Sequence, residues 1–94
     1  MATNYHKVRK DTNHTAMVQL LRAHGATVID CSPLKKAFDL LVIYKGNTYI
    51  MEVKSGKGKL SDGEIECKSQ VEKHGVKYHV IREFDQALQI LGII

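Results

Sequence analysis

Cysteine is scarce in this chain. Cys31 and Cys67 stand far apart and form no C-x-x-C pair, which argues against a zinc site or a disulfide scaffold and for two reduced thiols. Proline occurs once, at Pro33, where it marks a loop and forbids a continuing central strand. No apolar run reaches the length of a membrane span, and the stretch from Met1 to Lys7 lacks the apolar core of a signal peptide. Repeats and low-complexity tracts are missing. The histidines (His6, His14, His24, His74, His79) show no paired metal-ligand spacing. Gly56-Lys57-Gly58 lacks the spacing and the strand-to-helix setting of a P-loop. The expectation is a cytoplasmic protein with no membrane partner and no small-molecule organic cofactor.

What the chain does have is enough apolar content for one modest core. Its 94 residues make one domain, and a hydrophobic share of 44% argues against disorder. The net charge of +4 leans toward polyanionic partners without proving one. Residues 1–10 are polar and basic without periodicity and read as a mobile basic arm.

A helix is predicted from Thr12 or Asn13, either of which can cap it, to His24, with Met17, Leu20, Leu21 and His24 on one face. Gly25 stops it. Ala26 to Cys31 reads as a short strand. Ser61 or Asp62 caps a second helix through His74, with Ile65 and Val71 as its apolar contacts. Val76 to Ile81 alternates as a strand, parallel to its predecessor through a right-handed crossover. Phe84 to Leu91 is a final helix. The tail from Ala87 to Ile94 carries no charge. One helix turn can bury Leu88 and Leu91, but Ile90, Ile93 and Ile94 stay open unless the chain folds back or a second subunit covers them. That surplus predicts a homodimer.

Between these elements lies the stretch from Phe38 to Lys54, two apolar runs around a Gly/Asn turn and hence a β-hairpin. Phe38, Leu40, Val42, Tyr49, Met51 and Val53 share one face. Leu41, Ile43 and Ile50 share the other, with Asp39, Glu52 and Lys54 at its end. A turn at Gly46-Asn47 pairs Asp39 with Lys54; a turn at Lys45-Gly46 pairs Asp39 with Glu52. Gly-Asn suits a type II′ turn, so the first register is preferred. In both, the three ionisable groups are within reach of each other. Two carboxylates so close resist joint ionisation unless a cation lies between them, and a hard oxygen-liganded cation such as Mg²⁺ is the natural kind. A sheet apolar on both faces needs helices on both.

Asp39 followed by Glu52-Val53-Lys54 resembles the PD-(D/E)xK nuclease core. With the loop Lys54 to Ser61, the helix ending at His74-Gly75 and the strand from Val76 to Arg82, the chain resembles the virus-type replication-repair nuclease (VRR-NUC) domain over about Leu20 to Leu88. The resemblance implies a small mixed α/β sheet flanked by helices on both faces, in the order α-β-β-β-α-β-α, with a restriction-endonuclease-like core. It implies a Mg²⁺- or Mn²⁺-dependent DNA endonuclease, selective for junctions or flaps, in an intracellular and phage-encoded setting. Asp39 and Glu52 would ligate the metal, joined by the backbone carbonyl of Val53. Lys54 would be the catalytic lysine. Glu64, where the family commonly has Gln, would complete the metal shell, or hold a metal-bound water, or be only a first-turn acid. The acid that the family's first helix supplies falls near Lys10, with Asp11 as its nearest substitute, or with Asn13 or His14 facing the site instead. The family's Pro before the first acid is replaced by Phe38. Lys35, Lys36, Lys57 and Lys59 bracket the acids and suit a DNA backbone. No Ser, Cys or Tyr is placed as a nucleophile, so direct attack by water is implied. The alternative is a non-catalytic nucleic-acid-binding module on a nuclease-like fold.

Overall fold

The computed structural model describes residues 13–34 and 36–94. Asp11, Lys35 and the arm at 1–10 lie outside the described residues. The elements run α1 (His14–Ala23), β1 (Thr27–Asp30), β2 (Leu40–Tyr44), β3 (Asn47–Val53), α2 (Asp62–Lys73), β4 (Tyr78–Ile81) and α3 (Phe84–Leu91). This is the predicted α-β-β-β-α-β-α order. One four-stranded sheet has the order β1-β2-β3-β4, with β1, β2 and β3 antiparallel and β4 parallel to β3.

The hairpin register differs from the preferred one. Tyr44 pairs with Asn47, so the turn is Lys45-Gly46 rather than Gly46-Asn47. Both turn residues have positive φ, 49° and 83°. That is the type I′ pattern, whose twist matches the flanking strands. The Lys45 ammonium lies 5.4 Å from the centre of the Tyr44 ring, a contact that helps a lysine hold this backbone. The two registers have the same parity, so the faces are as predicted. What changes is the partner of Asp39, which now stands opposite Glu52.

The face carrying Leu40, Val42, Met51 and Val53 holds the core. Met17, Val18 and Leu21 of α1 and Ala87 and Leu91 of α3 seal it, joined by Val28 and Ile81. Each such side chain removed from water contributes roughly 1.5–3 kcal/mol. The apolar tail closes the same core. Gly92 adopts a left-handed conformation, the Gly92 amide donates to Gln89 O at 3.0 Å, and the Ile93 amide donates to Leu88 O at 2.9 Å. This Schellman turn folds the chain back, so Ile90 and Ile93 pack on the core and only Ile94 remains largely exposed, at 64%.

Among the described residues the second face is covered by α2 at its β3–β4 end. A capping box starts the helix: Ser61 accepts from the Glu64 amide and Glu64 accepts from the Ser61 amide. Gly63 is needed by close approach, since a Cβ there would come within 2.7 Å of Lys36 Cγ. Ile65 is 52% exposed, contrary to its predicted contact, whereas Val71 is partly buried as predicted, together with Gly63, Glu64, Cys67 and Lys68. Toward β1 the face stays open, with Ile29 and Ile43 exposed.

Candidate active site

The site forms where the hairpin ladder ends. Asp39 immediately precedes β2, and its main-chain carbonyl accepts from the Cys31 amide at 2.7 Å. Its carboxylate accepts from the Val53 amide at 2.9 Å, fixing the side chain across the strand pair. Glu52, on β3, is 2% exposed. The Tyr78 hydroxyl stands 3.4 Å from Glu52 Oε1 and 3.2 Å from the Ala37 carbonyl. Lys54 Nζ lies 3.6 Å from Glu52 Oε2 and 3.0 Å from Glu64 Oε1. Among the described residues its ion pairs therefore run to Glu52 and Glu64, not to Asp39. Glu64 Oε1 also accepts from the Ser61 amide at 2.8 Å. The helix cap and the hold on the lysine thus use the same carboxylate oxygen.

Crowding of carboxyl groups governs the electrostatics. Burial, a hydrogen bond with Glu64 and the charges of Asp39 and Glu64 push the Glu52 carboxyl up to about 8, against the pull of Lys54. Burial also raises Asp39, opposed by the Val53 amide and by the nearby His14 imidazole. Burial acts upward on Glu64 too, but the Ser61 amide, Glu52 and Lys54 outweigh it and hold that carboxyl below its ordinary value. Burial and the neighbouring Glu52 raise the Cys67 thiol, and burial with the Glu52 and Glu64 charges raises the Tyr78 phenol. Near neutral pH, Glu52 keeps a proton that its acidic neighbours accept. A bound cation would take over that role and leave Glu52 ionised.

Among the described residues, no three His, Cys, Asp or Glu side chains are grouped so as to hold a metal ion. The donors at hand are two carboxylates, Asp39 and Glu52, with the main chain at Val53 beside them. A hard cation that keeps several of its own waters suits so partial a protein shell.

Of the basic residues predicted to flank the acids, Lys36, Lys57 and Lys59 are exposed and Lys35 lies outside the described residues, as does the acid Asp11. Arg82, Tyr78 and Asp30 escaped the sequence reading, whereas Asn13 and His14 were read as able to face the site. Asn13 makes no side-chain cap to α1. Its amide donates instead to Lys54 O at 3.1 Å and Arg82 O at 2.9 Å, and its backbone N–H donates to Ser55 Oγ at 3.3 Å. Arg82 donates from Nη1 to Gly56 O at 3.0 Å and Gly58 O at 2.7 Å. His14, 2% exposed, meets Asp30 Oδ2 at 3.2 Å. Tyr78 had a readable signal, an aromatic residue with a polar tip on an alternating strand. Asp30 had a weaker one, an acid ending a strand. Arg82 had none, because its partners are main-chain atoms distant in sequence.

No protein-family model matches this chain, and no curated protein or solved structure does.

Proposed function

We propose that the chain is a divalent-metal-dependent nuclease of the VRR-NUC type that hydrolyses DNA phosphodiester bonds. The observation that supports it best is Glu52, a buried carboxyl set between two others and beside a lysine. Leaving such a group ionised without a cation is costly, and acids perturbed in this way concentrate at functional sites. Asp39, Glu52 and the Val53 carbonyl would hold Mg²⁺ or Mn²⁺. That ion would supply acidification of water and charge stabilisation at the phosphate. Lys54, held between Glu52 and Glu64, is positioned to neutralise charge on the phosphate and orient the attacking water. Lys36, Lys57 and Lys59 would draw the polyanion to the site.

Branched DNA as substrate follows from the family resemblance alone. A homodimer follows from the need to cut two strands of a junction, since the apolar tail that also suggested it is folded onto its own core. A cytoplasmic location accords with the reduced thiols; no helix among the described residues is long and apolar enough to cross a membrane.

A cleavage panel over linear, single-stranded, flapped, supercoiled and four-way DNA with each divalent metal tests the reading. Metal-dependent cleavage lost in Glu52→Ala is expected, and no cleavage of any form by the wild type refutes it. The second reading, a non-catalytic nucleic-acid-binding module, is favoured by one observation: the described residues hold no three-ligand cluster. It requires DNA binding that is indifferent to Glu52→Ala and to metal.

A further inference from the structure

We propose that the loop at 55–59 is a main-chain phosphate cradle, in which the backbone N–H groups of Lys57 and Lys59 bind phosphodiester oxygens and Arg82 sets their direction from beneath. The proposal rests on the reading above only in taking the ligand to be a phosphodiester.

The loop is a closed turn. The Gly58 amide donates to Ser55 O at 3.0 Å. Gly56 has φ +54°, while Lys57 is not in the positive-φ region. This is the type II′ arrangement, which needs glycine at its first central position. Arg82 then fixes the orientation of two peptides. Its Nη1 donates to both Gly56 O and Gly58 O, so both carbonyls converge on one guanidinium. Arg82 is itself anchored, because its own carbonyl accepts from the Asn13 amide.

In a trans peptide the N–H points opposite to the C=O, and the described chain has no cis bond. The Lys57 N–H shares its peptide with Gly56 O, and the Lys59 N–H shares its peptide with Gly58 O. Both N–H groups therefore point away from Arg82, on the exposed side of the loop. Neither has a hydrogen-bond partner among the described residues. Two outward-facing amide donors on a loop that also carries two exposed lysines can each reach a separate phosphodiester oxygen. Nη1 is committed to the two carbonyls, which would repel a phosphate if they faced outward. Through Nη1, Arg82 acts as a positioning residue.

The cradle adjoins the candidate active site. A Cβ at Gly58 would lie 3.7 Å from Lys54 Cδ, so the loop rests on the stem of the lysine. A phosphate held there would sit next along the strand from one facing Lys54.

The test is a titration of the full chain with a short DNA duplex in metal-free buffer, followed by amide NMR, with Arg82→Met as the variant. In the wild type the Lys57 and Lys59 amide protons should move downfield most and saturate together. Arg82→Met leaves both lysines in place but releases the carbonyls, and DNA affinity should fall about five- to tenfold. Unmoved Lys57 and Lys59 amides in DNA-bound wild type overturn the proposal. So does wild-type affinity in a folded Arg82→Met protein, because lysine charge alone would then suffice. If Arg82→Met does not fold, the wild-type amide shifts decide alone. A wild type that binds DNA through these amides but never cleaves refutes the nuclease reading and leaves the cradle standing.

Discussion

The two faces of the sheet divide stability from chemistry. One face is sealed by α1, α3 and the folded-back tail, with Leu40, Val42 and Met51 fully buried. The other carries Asp39, Glu52 and Lys54 and, among the described residues, is covered only by α2, with Ile29 and Ile43 exposed beyond it. Helix α2 has no fully buried residue and is fastened by a capping box and by Lys54–Glu64 instead. Under the proposed nuclease reading, the second face must stay open to a polyanion and so cannot be packed as tightly as the first. This chain seals the first face with apolar side chains and gathers its charged ones at the end of the second, beyond Leu41, Ile43 and Ile50.

The sharpest way to separate the faces is to remove one side chain from each. Lys54→Ala should lower cleavage by about 10²–10⁴-fold, the range for a group acting directly on the reacting atoms, with metal binding still measurable by calorimetry. Retained cleavage with lost metal binding would reverse the assignment of roles.

Leu40→Ala, on the sealed face, should cost about 2–5 kcal/mol in urea unfolding. Ile43→Ala, on the open face, should cost under about 1 kcal/mol, because its side chain is already in contact with water. Equal costs would mean that the open face is covered in solution.

Glu52 links the faces through pH. Its carboxyl titrates near 8 in the folded protein against 4.5 ordinarily, so the folded state holds a proton that the unfolded chain releases. The stability this contributes is complete below pH 4.5 and is lost as pH rises through 8. Glu52→Gln removes the loss: in metal-free buffer it should match the wild type near pH 4 and exceed it by roughly 2–4 kcal/mol near pH 9. Unfolding curves across that range decide the point, and parallel profiles would show that Glu52 ionises freely.

Glu64 gives the smallest effect. Glu64→Ala loses half of the capping box and should destabilise by about 1 kcal/mol, whereas Glu64→Gln can keep the box and should cost less. Both weaken the hold on Lys54, so both should lower kcat more than metal affinity. A large drop in metal affinity would make Glu64 a ligand.

Much of this was legible in the chain itself. Period-two alternation in the hairpin assigned Leu40, Val42, Met51 and Val53 to one face and Asp39, Glu52 and Lys54 to the other, because strand geometry alternates side chains whatever packs on them. Glycines and capping residues located the helix ends for the same local reason, and Ser61 caps α2 as read. The hairpin register was not legible, since two adjacent turns keep the same parity and differ only in which residues accept positive φ. Ile65 was misplaced because α2 turns its polar Glu64 toward the sheet, where Lys54 waits.

Local pattern alone determined the element order, the faces of the hairpin and the grouping of two acids with a lysine, since each depends on neighbours a few residues apart. Tertiary structure alone decided the pairing of Asp39 with Glu52, the burial of Glu52 and the turning back of the tail at Gly92. It also decided the clamp of Asn13 on Lys54 and Arg82, partners 41 and 69 positions away. Such contacts join polar groups to main-chain atoms that every residue possesses, so no side-chain pattern announces them, and they exist only once the sheet has brought its strand ends together.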